Sequence, residues 1–110
     1  MPLLTEDDLT VLVSGFHLFP TQAEVYAGNI NEYARQMAEE TWDWQRTARD
    51  SRSPMIVDPN SAIIAGHHRF IAALLANVIV PDGVVKLLPR VTSRPLRAWS
   101  AVTVRAGFRP

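Results

Sequence analysis

A strand–turn–strand–helix pattern in the middle of the chain constrains the fold more than any other feature. Met55–Val57 and Ala62–Ile64 are short apolar runs rich in β-branched residues. Asp58–Ser61 joins them with Asp first and Pro second, as a type I turn prefers. This arrangement predicts a β-hairpin. Gly66 ends the second strand, and the apolar residues take helical spacing from His67 onward.

The start of the predicted helix at His67 has the features of an anion-binding site. The first turn of a helix exposes backbone N–H groups and is the positive end of the helix dipole. Gly66 has no Cβ, so a phosphate can come close to the backbone, and His68 and Arg69 follow it. The sequence therefore predicts a phosphate pocket. In the alternative, Gly66 only makes a turn, His67 packs in the core and Arg69 pairs with a carboxylate such as Asp58.

These residues carry a family resemblance. Gly66-His67-His68-Arg69, placed between a hairpin and an Ala-rich helix, resembles the signature of the ParB/sulfiredoxin superfamily. The corresponding residues are Gly-Glu-Arg-Arg in ParB partition proteins, Gly-Cys-His-Arg in sulfiredoxins and Gly-His-His-Arg in some archaeal free-serine kinases. The resemblance covers roughly residues 16–90. Since the chain has no cysteine and His67 stands at the position of the reactive cysteine, sulfiredoxin chemistry is excluded.

The resemblance implies a role for each residue of the motif. In the superfamily this loop holds nucleotide phosphates, so Gly66 is expected to give the phosphate access to the backbone. His68 and Arg69 match phosphate-contacting positions. His67 matches a position that is reactive or polar in relatives, and we expect it to be the catalytic acid or base, since an imidazole titrates near neutral pH.

A second group of candidates precedes the first long helix. Phe16–Pro20 is a short alternating run that predicts a strand closed by proline, and Thr21–Glu24 predicts a loop. In the superfamily a Pro-containing loop at this place borders the active site. The resemblance therefore makes Gln22 a further phosphate-binding candidate and Glu24 a further catalytic one. The alternative is that both are solvated surface residues.

The other segments complete an α+β prediction. Asn29 and Glu32 resemble a cap that opens a helix with Ile30 on its buried face. Thr5–Asp8 resembles a capping box that opens a short helix through about Leu12, whereas Val11–Val13 can also be read as a strand.

We expect a small mixed β-sheet flanked by helices, of the ParB/sulfiredoxin-like type. The sheet would contain the 55–65 hairpin, a buried strand at Val84–Leu88 and a last strand at Trp99–Val104. A chain of 110 residues fits one domain, here 1–110 with its core at about 16–104. The tail after Arg105 is expected to fray.

The charges of the chain are distributed unevenly, although the net charge is zero. Residues 1–45 contain eight acidic side chains against Arg35 alone, and residues 46–110 contain ten basic side chains against three acidic ones. Three of those basic residues lie in the polar segment 46–53, just ahead of the predicted pocket. The asymmetry indicates a basic face for nucleic acid or nucleotide, or else two halves that attract each other in the fold.

Several classes of protein are disfavoured by the sequence. Glu6–Asp8 interrupts the apolar start, and no segment approaches the roughly 20 apolar residues of a membrane span, so we expect neither a signal peptide nor a membrane contact. His67 and His68 point about 100° apart on a helix and therefore cannot easily share an ion, even with His17 as a third ligand. We predict no metal held by the protein itself, and Mg²⁺ carried with a nucleotide such as ATP as the expected cofactor.

Three functions follow from the motif and its resemblance. The first is a ParB-like toxin domain of a bacterial secretion system, a nuclease on DNA or RNA that acts in the cytoplasm of a target cell and is countered by an immunity protein. The second is a nucleotide-dependent phosphotransferase or ATPase. The third is a non-catalytic nucleotide-binding module. A module of partition type would need a DNA-reading helix-turn-helix, for which the chain has no room.

Overall fold

The computed structural model describes Leu4 and residues 9–13, 18–44, 55–92 and 94–110. Three features of the sequence lie outside these residues: the capping box Thr5–Asp8, the third histidine His17 and the basic segment 46–53. The described residues form a small α+β fold with two sheets and three helices. The predicted fold class is confirmed at that level.

Four strands make the larger sheet and two make the smaller one. The strands are β1 (Phe19–Pro20), β2 (Glu24–Tyr26), β3 (Met55–Val57), β4 (Ala62–Ala65), β5 (Val85–Leu87) and β6 (Thr103–Arg105). The larger sheet has the order β1-β4-β3-β5, in which β3 and β4 are antiparallel and the other pairs are parallel. This sheet is mixed, as predicted.

The central hairpin is confirmed, and its turn depends on Asp58. The amide of Ser61 donates to the Asp58 carbonyl at 2.9 Å, which closes the four-residue turn. Asp58 Oδ1 also accepts the amides of Asn60 at 2.9 Å and Ala62 at 3.0 Å. An aspartate that bonds the backbone two residues later is the usual stabiliser of such a turn. The Asp-Pro-Asn-Ser sequence therefore determines this turn locally.

The helices are α1 (Leu9–Val13), α2 (Ala27–Ala38) and α3 (His67–Ala76). For α1, the helical alternative is the one observed. The predicted cap of α2 is wrong, because the helix begins two residues before Asn29 and no described side chain caps it. The Asn29 Oδ1 atom instead accepts the amide of Arg109 at 2.7 Å. The start and the end of α3 agree with the prediction, since Gly66 and Asn77 flank it in left-handed conformations.

The C-terminal part of the chain departs from the prediction. Trp99–Ala101 is a 3-10 turn, and β6 pairs in parallel with β2 rather than with the larger sheet. The Trp99 indole N–H donates to the Leu18 carbonyl at 2.8 Å, and its ring lies 6.0 Å from that of Phe70. Trp99 therefore packs between α3 and the residue before β1, in a turn and not in a strand.

Two further corrections concern burial and the tail. β5 is an edge strand rather than a buried one, and Leu87 is 73% exposed. The tail is anchored rather than frayed, because the Gly28 amide donates to the Gly107 carbonyl at 2.8 Å.

The core lies between the larger sheet and helices α2 and α3. Ile30 of α2, Ile63 of β4 and Ile71 of α3 are completely buried, as is Val25 of β2. Burial of this kind stabilises the fold by about 1.5 to 3 kcal/mol for each large aliphatic side chain. Among the residues that the structure describes, no helix has the length and apolar character needed to cross a membrane.

Candidate functional site

The candidate site lies where two parallel strands end at the same edge of the larger sheet. Strands β1 and β4 pair in parallel, so the segment after β1 and the residues after β4 meet at one edge. The carboxyl edge of parallel strands is a common position for ligand sites in α/β sheets. We call Gly66–Arg69 the junction and residues 21–26 the facing segment.

Gly66 takes a conformation that other residues rarely adopt. Its φ is +100°, and a Cβ built on it would lie 2.7 Å from Met55 Cγ. Both facts explain why a glycine stands between β4 and α3. Among the described residues, no side chain caps the N-terminus of α3 at Gly66. The positive end of the helix dipole at this start favours an anion.

His67 is 2% exposed and is held by the facing segment. Its Nε2 atom accepts the backbone amide of Thr21 at 3.0 Å. Because a backbone amide can only donate, Nε2 carries no proton in this arrangement, and the neutral ring must carry its proton on Nδ1. Burial lowers the pKa of His67 to about 4, and the electrostatic effects of the neighbouring His68 and Arg94 act in the same direction.

His68 is 4% exposed and makes the equivalent contact at the end of β2. Its Nε2 atom accepts the backbone amide of Tyr26 at 3.1 Å, and the two rings stack with their centroids 6.2 Å apart. Both imidazoles therefore face the same segment through the same nitrogen atom. Adjacent side chains on a helix point about 100° apart, yet both rings reach the facing segment because they contact its two ends. His67 contacts Thr21 at the first end, and His68 contacts Tyr26 at the second.

These contacts change the role that the histidines can have. The acid–base role of His67 was predicted from the ordinary pKa of histidine, but its lowered pKa keeps the ring neutral at pH 7. The Nε2 atoms of His67 and His68 are both engaged by backbone amides. In this structure the two residues are hydrogen-bond acceptors that hold the facing segment. The catalytic role of His67 and the phosphate contact of His68 stay predictions.

Arg69 is the most deeply buried charged residue of the junction. It is 1% exposed, and its Nη2 atom would lie 3.3 Å from a Cβ placed on Gly66. The alternative partner considered for it, Asp58, uses both carboxylate oxygens on backbone amides. Oδ1 accepts those of Asn60 and Ala62, and Oδ2 accepts that of Thr92 at 3.0 Å. The guanidinium of Arg69 lies beside Gly66, the glycine that the anion prediction requires.

The two candidates ahead of α2 lie in the facing segment. The Gln22 side-chain amide donates to the Glu24 carbonyl. Glu24 begins strand β2, so the predicted loop is one residue shorter than expected. Its carboxylate pairs with Arg105 at 2.8 Å, and this hydrogen bond and charge lower the pKa of Glu24 below its usual value. An ionised, paired carboxylate is a poor general acid. The catalytic role of Glu24 also stays a prediction.

Sequence reasoning missed three residues that complete the site. Thr21 and Tyr26 supply the amides held by the histidines, and the Thr21 hydroxyl donates to the Ile63 carbonyl at 2.8 Å. The Arg94 guanidinium donates to the Ile64 carbonyl at 3.2 Å, two residues before Gly66. Each of these contacts joins residues 30 to 46 positions apart, so no local pattern could reveal them.

Two surface cavities formed by described residues lie elsewhere. One of about 580 Å³ is formed by α2 and Phe108, and one of about 450 Å³ by α1, α3 and the segment 78–80. Among the described residues, neither lining includes the junction. The part of the chain that the structure describes also contains no group of three His, Asp or Glu side chains able to hold a metal ion, while His17 lies outside it.

Comparison with known proteins does not assign the chain to a family. No protein-family model matches it, and no curated protein or solved structure matches it significantly.

Proposed function

We propose that the chain is a phosphate-handling domain that binds the phosphate of a nucleotide or a nucleic acid where Gly66 leads into α3. The observation that supports this most strongly is the left-handed Gly66 at the start of a ten-residue helix that no described side chain caps. Such a helix start offers backbone donors and a positive dipole to an anion. Arg69 and Arg94 add positive charge beside it, through the contacts given above.

The resemblance to the ParB/sulfiredoxin superfamily extends this proposal to a reaction class. The hairpin, the glycine and the helix that follow one another in the resemblance also follow one another in the fold. We therefore propose action on phosphoesters, as a ParB-like nuclease toxin delivered by a bacterial secretion system, with an immunity protein as its partner. A nucleotide-dependent phosphotransferase or ATPase is the alternative enzyme. In either case Mg²⁺ would enter the site together with the nucleotide.

One specific observation favours a binding module without catalysis. The imidazoles of His67 and His68 accept backbone amides, and the pKa of His67 is lowered to about 4. Neither ring is therefore ready to move a proton at neutral pH. A nucleotide-binding module needs no proton transfer, only an anion-binding helix start with positive charge beside it, and Arg69 and Arg94 lie at this place.

Calorimetry with inorganic phosphate, ATP, and short DNA and RNA oligonucleotides tests the binding proposal. We expect at least one of these ligands to bind to the wild type at pH 7.5. Arg69→Lys keeps the charge but loses the planar fork, and it should weaken binding roughly tenfold, or about 1.4 kcal/mol. Arg35→Lys, on the exposed face of α2, is the matched control and should leave affinity unchanged. If none of the four ligands binds to the folded wild type, the proposal is wrong.

A second assay separates the enzymes from the binding module. The purified chain is incubated with plasmid DNA, with RNA and with labelled ATP, each with and without Mg²⁺. Loss of DNA or RNA supports the nuclease, and loss of ATP supports the phosphotransferase or ATPase. Binding in the calorimeter without consumption of any substrate identifies a binding module.

A further inference from the structure

The two adjacent histidines make a paired contact that phosphate binding does not require. His67 and His68 are both buried, and each presents Nε2 to a backbone amide of the facing segment. The amides belong to Thr21 and Tyr26, which lie 46 and 42 residues earlier in the chain. These two contacts lie at the two ends of the facing segment, and both depend on an unprotonated nitrogen atom.

The facing segment in turn organises a larger part of the fold. It joins β1 to α2 and contains β2, which pairs with β6. The Thr103 amide donates to the Ala23 carbonyl at 2.9 Å, next to that pairing. The strand β6 continues into the tail that contacts α2 through Gly107 and Arg109. If the facing segment leaves α3, the pairing of β2 with β6 loses its support.

We propose that His67 and His68 form an acid-sensitive lock that holds the facing segment against α3 and releases it when the imidazoles are protonated. Each ring takes one proton from the solvent at Nε2 and becomes an imidazolium. The new N–H then points at the amide N–H that it formerly accepted, so the hydrogen bond is lost and two donors oppose each other. Opening of the facing segment removes this conflict, because it lets water hydrate the charged rings.

The charges around the two rings favour release after protonation. On α3, the titratable or charged residues are His67 and His68 themselves and Arg69. Arg94, which follows β5 in the chain, lowers the pKa of His67 through its positive charge. On the facing segment, the titratable groups are the Tyr26 phenol, which stacks on His68, and the Glu24 carboxylate, which Arg105 neutralises. Protonation would therefore place two adjacent imidazolium ions beside each other and near Arg94, and these charges repel one another.

The expected size of the effect follows from linkage. The pKa of His67 is about 4 in the closed structure against an ordinary value of 6.5, so an open segment binds a proton more readily over that interval. The opening constant should rise up to tenfold for each pH unit below 6.5. From His67 alone the total is roughly 150-fold by pH 4. This device is independent of the phosphate proposal, since it requires no ligand.

Amide hydrogen exchange of the wild type, followed by NMR between pH 7.5 and 4, tests the lock. The quantity to follow is the protection factor of the Thr21 and Tyr26 amides relative to that of Leu88. The Leu88 amide donates to the Val57 carbonyl at 2.9 Å in the larger sheet and serves as the internal control. We expect the relative protection to be high at pH 7.5 and to fall roughly 150-fold by pH 4, together with that of Thr103. A ratio that stays constant, or amides already unprotected at pH 7.5, would overturn the proposal.

Two variants identify the sensor. His67→Gln/His68→Gln replaces each ring by an amide oxygen that can accept but does not titrate, and it should remove the acid response. Glu24→Gln removes the other titratable group that holds the segment and should leave the response in place. Loss of the response in Glu24→Gln would assign it to the ion pair with Arg105 and contradict the lock. If the double variant does not fold, the wild-type exchange and Glu24→Gln still decide the question.

Discussion

Two buried groups hold irregular parts of this chain by accepting backbone amides, and they differ in their partners and in their chemistry. Asp58 is a charged acceptor, and two of its three partners, Asn60 and Ala62, follow it within four residues. Its third partner is Thr92, 34 residues away. The hydrogen bonds from these amides, with that of Thr92 the strongest, lower the pKa of Asp58 below its usual value.

The histidine pair, His67 and His68, is the second of these anchors. Its rings are neutral acceptors, and both of their partners are remote in sequence. An aspartate accepts more strongly when it is charged, whereas an imidazole accepts at Nε2 only when it is neutral. We therefore expect mild acid to leave the Asp58 contacts intact and to release those of the histidines. The comparison also shows why the local contacts of Asp58 were visible in the sequence, whereas the remote hydrogen bonds of His67 and His68 were not.

The largest expected effect is on the pH dependence of stability. The pKa of His67 is lowered from 6.5 to about 4 in the fold, so the unfolded chain binds more protons between these values. The free energy of unfolding should be fully retained above pH 6.5 and should fall by roughly 3 kcal/mol as the pH drops to 4. The contribution of Asp58 should be lost only below its ordinary value of 3.8. Urea denaturation at a series of pH values separates the two intervals.

His67→Gln provides the control for that series. In this variant the free energy of unfolding should change little between pH 6.5 and 4, while the loss of the Asp58 contribution below pH 3.8 should remain. A wild-type curve that is already flat from pH 6.5 to 4.5 would show that His67 is not the group responsible.

Removal of the acceptor at neutral pH should have the next largest effect. His67→Ala leaves the Thr21 amide without its acceptor in a buried place and should cost about 2 to 3 kcal/mol in urea denaturation at pH 7.5. His67→Gln can restore an acceptor and should cost less. Equal stability of the wild type and the alanine variant would be the result expected of a catalytic residue, and it would contradict the role of an anchor.

Gly66, which lies between Asp58 and His67 in the chain, should also be sensitive to substitution. Gly66→Ala places a Cβ in a conformation with φ of +100° and against Met55 Cγ, and should cost about 1 to 2 kcal/mol from the backbone alone. Gly83→Ala is the matched control, since its Cβ would have no neighbour within 4 Å. Thermal unfolding of the two variants side by side measures the difference. Similar melting temperatures would mean that the turn at Gly66 is less constrained than the contacts indicate.

The smallest expected effect concerns Arg94. Its charge is one of the causes that lower the pKa of His67, although burial and His68 act more strongly. Arg94→Gln should therefore raise the pKa of His67 slightly and weaken the acid response. An NMR titration of the His67 ring gives this shift directly. A lower pKa in the variant would have the wrong sign for a charge effect.

The parts of the fold that were predicted correctly are those whose signals lie within a few residues. The Asp58 turn, the two β-branched runs beside it and Gly66 before α3 each act over four residues or fewer. Their geometry is dictated by the backbone preferences of Asp, Pro and Gly. The junction itself was therefore located from sequence.

The parts that were missed depend on pairing across the whole chain. Strand β2 has three residues and no alternating pattern of its own, and it exists because β6 pairs with it about 80 positions later. Trp99 was assigned to a strand because of alternation, whereas its contacts with Leu18 and Phe70 hold it in a turn. The hydrogen bonds of His67 and His68 to the facing segment were missed for the same reason, since a sequence shows an acceptor but not the amide that bonds to it.

The most direct test of the central claim is the protonation of the two imidazoles at neutral pH. Nitrogen NMR of ¹⁵N-histidine-labelled protein at pH 7.5 distinguishes a ring nitrogen that carries a proton from one that does not. If His67 and His68 hold the facing segment, both rings must be neutral with the proton on Nδ1, and each Nε2 should couple to the amide of Thr21 or Tyr26. A proton on Nε2 of either ring at that pH would contradict the account.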